Sequence, residues 1–178
     1  MLTLLRPRPI MTLASTLVEL DDTRADLIAL IDVLTPDQLA FSPAAGAWSA
    51  EGVAEHLLLT EEFILRAIEH GPDANLGPAT PGVIDDMISV FRSDQQVQAP
   101  PFLEPTGQGY VGTRAGLVRL GARWQQIVDA TPAGDRVVFE HPLAGPLSLL
   151  DTVRFVEAHA GHHRYQLARI AASPGYPS

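Results

Sequence analysis

Histidines are the residues of this sequence best suited to chemistry, because three of them have positions that fit a metal ion. His159 and His163 fall four residues apart in the run Glu157-Ala-His-Ala-Gly-His-His-Arg-Tyr-Gln. On an α-helix, residues four apart lie about 40° apart on one face, so their imidazoles can reach one point. His56 falls near the start of the apolar face of another predicted helix and could supply a third ligand. Since neutral imidazole binds Zn²⁺ and Ni²⁺, the pattern indicates a three-histidine site for a divalent metal, zinc or nickel.

The same histidines also fit a hydrogen-bonded polar core without a metal. A buried histidine is commonly satisfied by a hydrogen bond, and a His-x-x-x-His spacing also arises by chance. In favour of the metal, His159 and His163 lie on the inward side of a helix rich in Val, Leu and Ile. Two unpaired imidazoles would each be costly there. His162 lies about 100° from His163 and is expected to point toward a flank. On the residues alone, both interpretations remain open.

Other polar residues give weaker signals. Gln166, one turn after His163, could orient that imidazole or only fill a buried gap. His70 fits the C-terminal end of a helix dipole, and His141 fits either a turn or the site. Trp48 and Trp124 are expected to be core residues or hydrophobic staples at helix ends. Solvated helix faces are expected at Glu61-Glu62, Asp85-Asp86, Arg114, Arg119 and Arg123.

Four long segments with apolar residues at helical spacing must position the histidines. They cover residues 12–34, 50–70, 113–130 and 149–171. Ser49 and Ser148 are suited to cap the second and the last of these helices. A long connection follows the second helix and includes a short predicted helix over residues 81–92, and residues 137–147 are predicted to be extended or hairpin-like. Four helices with one long crossover predict an all-α four-helix bundle.

Composition excludes several classes of function. The chain has 178 residues, of which 46% are hydrophobic and 19% charged, as expected for one domain with a sizeable core. Its formal net charge of −9, without a basic block, argues against nucleic-acid binding. With no cysteine, it has no disulfide, thiolate metal ligand or cysteine nucleophile. No stretch approaches the roughly 20 apolar residues that a membrane helix needs, so no membrane partner is expected.

The first residues differ from the rest of the chain. Arg6, Pro7, Arg8 and Pro9 interrupt the apolar residues, and no apolar run with a small-residue cleavage site follows. We interpret residues 1–11 as a loose N-terminal arm and residues 12–178 as a single helical-bundle domain. A cytoplasmic location is expected.

Three short motifs, in chain order, resemble those of the DinB/YfiT-like superfamily of bacterial four-helix bundles, which is unrelated to the DNA polymerase of that name. The resemblance spans nearly the whole chain. The motifs are Gly46-Ala-Trp48-Ser49 with Ala54-Glu-His56-Leu57 at the second helix, His141-Pro142-x-x-Gly145 before the last helix, and His159-x-x-His162-His163-x-x-Gln166 within it.

This resemblance implies a divalent metal, often nickel or zinc, held by His56, His159 and His163, with His162 not a ligand. It also implies a bundle that commonly dimerises, and hence a homodimer. Characterised relatives include S-transferases and isomerases that use mycothiol or bacillithiol, others are described as metal-dependent hydrolases, and many have no known activity. Residues 71–112 match no motif, and substrate pockets of the family would diverge there.

Three functions are consistent with such a site. An S-transferase would activate a small-molecule thiol, supplied from outside because the chain has no cysteine, for attack on an electrophile. Arg154, Arg164 and the arginines of the third long helix are candidate partners for a carboxylated thiol. A hydrolase would acidify a water at the same metal and usually needs a carboxylate base. Helical phase forces none of Glu55, Glu61 and Glu157 inward, which favours the transferase. The third function is a non-enzymatic metal-binding or stress-related bundle.

Overall fold

The computed structural model describes residues 11–71, 79, 83–91, 98–131 and 136–178. The predicted N-terminal arm therefore lies, apart from Met11, outside the described residues. The helices are α1 (Leu13–Asp32), α2 (Pro36–Ala40), α3 (Ala50–His70), α4 (Val83–Phe91), α5 (Tyr110–Ala130) and α6 (Leu149–Ala171). A short 3₁₀ helix covers Pro101–Leu103, and β1 (Val137–His141) pairs with β2 (Gly145–Ser148). Within the described residues, no helix combines the length and apolar character needed to cross a membrane.

The four long helices α1, α3, α5 and α6 form the predicted four-helix bundle. Helix α1 packs mainly on α6, and α3 packs mainly on α5. The short helix α4 lies against α6. Apolar side chains of all four long helices fill the interior, and the fully buried ones include Leu20, Leu27, Val53, Ile64, Leu117, Leu120, Trp124 and Val153.

Serine side chains cap the N-termini of α3 and α6, the two helices that hold the three candidate histidines. The Ser49 hydroxyl accepts a hydrogen bond from Gly52 N at 3.2 Å, and the Ser148 hydroxyl accepts one from Asp151 N at 3.1 Å. Each cap satisfies a backbone N–H that has no partner in the first helical turn. Both helices consequently begin where the sequence predicted, and their last residues, His70 and Ala171, also agree with the prediction.

Helices without such signals differ more from their predicted bounds. Helix α5 begins at Tyr110 rather than residue 113, because its N-cap is Gly109 at φ 84° and no side chain caps it. Helix α2 was not predicted, because its single turn is too short to show apolar periodicity. Its N-terminus is capped by Thr35 and Gln38, whose side chains each accept a hydrogen bond from the other's backbone N–H.

The segment before α6 is the predicted hairpin. Strands β1 and β2 are antiparallel, with His141 opposite Gly145. The Nδ1 atom of His141 accepts hydrogen bonds from the backbone N–H groups of Leu143 and Ala144, both at 3.1 Å. His141 therefore stabilises the turn through its ring nitrogen.

A buried ion pair joins three of the long helices, and it shows that the prediction of a solvated Glu61 was wrong. Glu61 on α3 is 1% exposed and Arg24 on α1 is 5% exposed. Arg24 Nη2 and Trp124 Nε1 each donate to Glu61 Oε2 at 2.7 Å. Burial alone would lower the pKa of Arg24, but the charges and hydrogen bonds of Glu61 and Asp21 raise it. Arg24 thus keeps its charge, and its contact with Glu61, together with that of Trp124, joins α1, α3 and α5.

We expect Glu61→Ala to destabilise the protein by about 3–5 kcal/mol, because it leaves the Arg24 charge buried without its partner. The neighbouring Glu62 pairs with Arg66 in a partly exposed i,i+4 contact, so Glu62→Ala should cost about 0–1 kcal/mol. Urea unfolding of the two variants measures the difference. Equal losses would show that the buried pair contributes no more than a surface pair.

Candidate metal centre

The structure brings together the three histidines that the sequence singled out. His56 comes from α3, His159 and His163 come from α6, and all three side chains are buried. The Nε2 atom of His159 lies 3.2 Å from Nε2 of His56 and 3.0 Å from Nε2 of His163. One nitrogen from each ring therefore lies in a cluster whose atoms are all within 4.8 Å of one another.

Hydrogen bonds on the outer side of two rings fix which nitrogen has the proton. His56 Nδ1 lies 2.8 Å from the carbonyl oxygen of Leu103, and His163 Nδ1 lies 2.7 Å from Gln166 Oε1. Because oxygen can only accept in these contacts, each Nδ1 donates a proton. A neutral imidazole has a single N–H, so both Nε2 atoms direct a lone pair toward His159. Metal-binding histidines show this arrangement, and Gln166 has the orienting role considered for it.

The donor set fits a divalent cation better than it fits a proton network. His159 Nε2 can donate at most one hydrogen, which can satisfy only one of the two facing lone pairs. Metal–nitrogen bonds of roughly 2.0–2.1 Å place adjacent ligand nitrogens about 2.8–3.4 Å apart in tetrahedral or octahedral geometry. The two measured separations, 3.0 and 3.2 Å, fall within that range. His56, His159 and His163 could therefore hold such an ion.

Burial keeps the three rings neutral, which is the form that binds metal. Desolvation lowers the pKa of His56 and lowers that of His159 well below its ordinary value. For His163, burial and the nearby His56 lower the pKa to about 3. The neutral state therefore follows from the apolar surroundings and from the mutual repulsion that charged rings would suffer.

Aromatic rings enclose the histidines. The Trp48 ring lies 4.6 Å from that of His56, and the Phe155 ring is stacked on that of His159 at 5.8 Å. Phe91 on α4 also contacts His159, with ring centroids 5.4 Å apart. Trp48 was expected as a core or staple residue, and its contact with His56 was not predicted. Its position directly before the capping residue Ser49 is the signal that could have indicated this contact.

The other histidines are outside the cluster. His162 bonds through Nδ1 to the carbonyl oxygen of Phe91 at 2.9 Å, on the flank where the helical phase placed it. His141 contacts Phe155 with ring centroids 4.7 Å apart and is separated from the cluster by that ring. His70, at the end of α3, bonds to the carbonyl oxygen of Arg66.

Several candidate carboxylates and arginines have other partners. Glu55 accepts hydrogen bonds from Thr106, Gly107 and Gln108, and Glu61 pairs with Arg24. Within the part of the chain that the structure describes, the metal-ligating cluster includes no carboxylate. Arg154 pairs with Asp85 and Asp151, and Arg164 pairs with Asp26.

The fold and the site together define the class of this protein. It is a four-helix bundle in which three convergent histidines form a candidate metal centre between the helices. The sequence model of one family, the DinB superfamily, matches residues 19–167. The chain therefore belongs to the DinB superfamily, as its motifs indicated. No curated protein sequence matches it.

Two solved structures share the fold. The first is YfiT from Bacillus subtilis, which is described as a probable metal-dependent hydrolase with an unusual four-helix bundle topology. It is 17% identical in sequence to this chain. The match covers 97% of this chain and 95% of YfiT, with a TM-score of 0.64. TT2238, described as a four-helix bundle protein, is 22% identical, with coverage of 91% and 100% and a TM-score of 0.57. These likenesses support the fold.

Replacing Gln166 tests the outer hydrogen bond of His163. We expect Gln166→Ala to weaken Zn²⁺ binding about 10- to 100-fold, since that bond orients the ring and fixes its proton. Competition with a chelating dye measures the affinity. Gln125→Ala is the matched control, because Gln125 bonds to Asp129 on the exposed side of α5. Equal affinity of Gln166→Ala and wild type would contradict the assigned role.

Proposed function

We propose that this protein is a metal-dependent S-transferase, in which His56, His159 and His163 hold Zn²⁺ or Ni²⁺ and an external low-molecular-weight thiol is activated. The observation that supports this most is the convergence of three buried Nε2 atoms, two of which are fixed as lone-pair donors. Three protein ligands are typical of catalytic rather than structural zinc sites, because they leave a position for substrate.

The bound cation would supply a lowered thiol pKa, so that the sulfur reacts as a thiolate. The sulfur forms a bond to an electrophilic carbon, the bond to the leaving group breaks, and the thiol proton passes to solvent. The chain itself has no cysteine, so the nucleophile has to be a cosubstrate. Trp48, Phe91 and Phe155 support this chemistry by keeping the surroundings of the histidines apolar.

Hydrolysis at the same site is the second candidate, and the description of YfiT as a probable metal-dependent hydrolase favours it. The contacts of the carboxylates favour the transferase. Glu55 is held by a loop and Glu61 by Arg24, so neither of these two is free to act as a general base. A thiolate needs no such base once its proton has been lost.

A cytoplasmic location is part of the proposal, because small thiols are kept reduced in that compartment. The homodimer stays a prediction from the family resemblance, and the non-enzymatic bundle stays the third alternative. The following assay separates the alternatives.

Metal-loaded protein should accelerate formation of the fluorescent adduct between monochlorobimane and an added thiol, with mycothiol, bacillithiol and cysteine tested separately. The double variant His159→Ala/His163→Ala should fall to the uncatalysed rate because two ligands are lost. His70→Ala, which removes an exposed histidine at the end of α3, should keep the wild-type rate.

Metal-dependent cleavage of a nitrophenyl ester without thiol transfer would contradict the S-transferase proposal and support the hydrolase. Bound metal with neither activity would favour the non-enzymatic bundle.

A further inference from the structure

One loop wraps around α3 beside His56. Residues 103–108, here called the 103–108 loop, begin at the last residue of the short 3₁₀ helix and precede α5. Its Leu103 carbonyl oxygen accepts the hydrogen bond from His56 Nδ1, at 2.8 Å. The orientation of His56 therefore depends on where this loop lies relative to α3.

Glu55, the residue before His56, holds the same loop. Its carboxylate accepts hydrogen bonds from Thr106 N at 2.8 Å, Thr106 Oγ1 at 2.7 Å, Gly107 N at 2.9 Å and Gln108 N at 3.3 Å. Glu55 is only 2% exposed. Each carboxylate oxygen of Glu55 thus accepts two hydrogen bonds from the loop.

The 103–108 loop also packs closely against the first turn of α3, near the candidate metal centre. A Cβ atom on Gly52 would lie 3.5 Å from Pro105 Cγ and 3.5 Å from Trp48 Cβ. Pro105 and Trp48 thus both approach α3 at Gly52, and the Trp48 ring in turn packs on His56. The loop is consequently anchored on the helix on the same side as the histidine that it orients.

We infer that Glu55 is a positioning residue for His56: by anchoring the 103–108 loop, it places the Leu103 carbonyl that fixes the proton and the direction of the His56 ring. This inference rests on the proposed metal site. Glu55 acts through the loop, not through contact with the metal or a substrate.

The outer hydrogen bonds of His163 and His56 are therefore positioned in different ways. Gln166 is three residues from His163 on the same helix, so the helix alone sets that contact. Leu103 is 47 residues from His56 in sequence, and only tertiary anchoring of its loop can set the other contact. A change at Glu55 should affect His56 and leave His163 as it is.

Glu55→Gln is the direct test. It keeps the side-chain shape but places an NH₂ group among N–H donors, so part of the anchor is lost. We expect the Zn²⁺ dissociation constant to rise about 10-fold, the lower end of the effect of changing an outer partner of a metal ligand. In metal-free protein, long-range ¹⁵N NMR of the imidazoles should show mixed tautomers for His56 and an unchanged tautomer for His163.

Asp32→Asn is the matched control. Asp32 on α1 accepts hydrogen bonds from Tyr110 and Arg114 of α5, away from the histidines. This variant should lose stability without a change in Zn²⁺ affinity. If Glu55→Gln does not fold, Thr106→Val removes only the Oγ1 bond and should give a smaller change in the same direction.

A Glu55→Gln protein with lower thermal stability but wild-type Zn²⁺ affinity and a wild-type His56 tautomer would overturn the inference and leave Glu55 a structural residue. In a His56→Ala background, Glu55→Gln should cause no further loss of affinity, and a full 10-fold loss there would also overturn it. If the wild type bound no metal, the proposed function would fail, while the tautomers of metal-free protein would still decide the role of Glu55.

Discussion

The central constraint on this molecule is that the Nε2 atom of His159 lies within hydrogen-bonding distance of the Nε2 atoms of both His56 and His163 inside an apolar bundle. His56 and His163 each donate the Nδ1–H hydrogen bond to an outer oxygen acceptor, so their Nε2 lone pairs face His159. Lone pairs at these separations repel unless a proton or a cation lies between them, and a single N–H on His159 cannot serve both. A divalent ion between the three rings would remove this repulsion. His56, His159 and His163 could therefore hold such a cation.

The rest of the fold serves to keep these rings neutral and in place. Helix α6 presents two of them through its own geometry, whereas α3 must be held so that His56 meets them. Arg24 and Trp124 hold α3 through Glu61, and the 103–108 loop holds it through Glu55. Helix α3 is thus fixed by hydrogen bonds to two buried carboxyl groups, one on each side of His56 in sequence. Such bonds are directional and set register more sharply than apolar contact does.

Features set by contacts between residues close in sequence could be predicted, whereas features set by contacts between residues far apart in sequence could not. Ser49 and Ser148 cap their helices within three residues, so the bounds of α3 and α6 were predictable. The spacing of His159 and His163 is equally local. Burial of Glu61 was not predictable, because its partner Arg24 is 37 residues away and an acidic residue on a helix is ordinarily solvated. The acceptor for His56 is a backbone carbonyl, which every residue has and which therefore gives no sequence signal.

Metal content tests the central claim most directly. Inductively coupled plasma mass spectrometry should find about one Zn or Ni ion per chain in the purified or reconstituted protein, as expected for a single three-histidine site. The ion should be lost from His159→Ala/His163→Ala and kept in His70→Ala. A wild-type protein without metal after reconstitution, or a double variant that keeps its ion, would contradict the account and leave His56, His159 and His163 as a polar core.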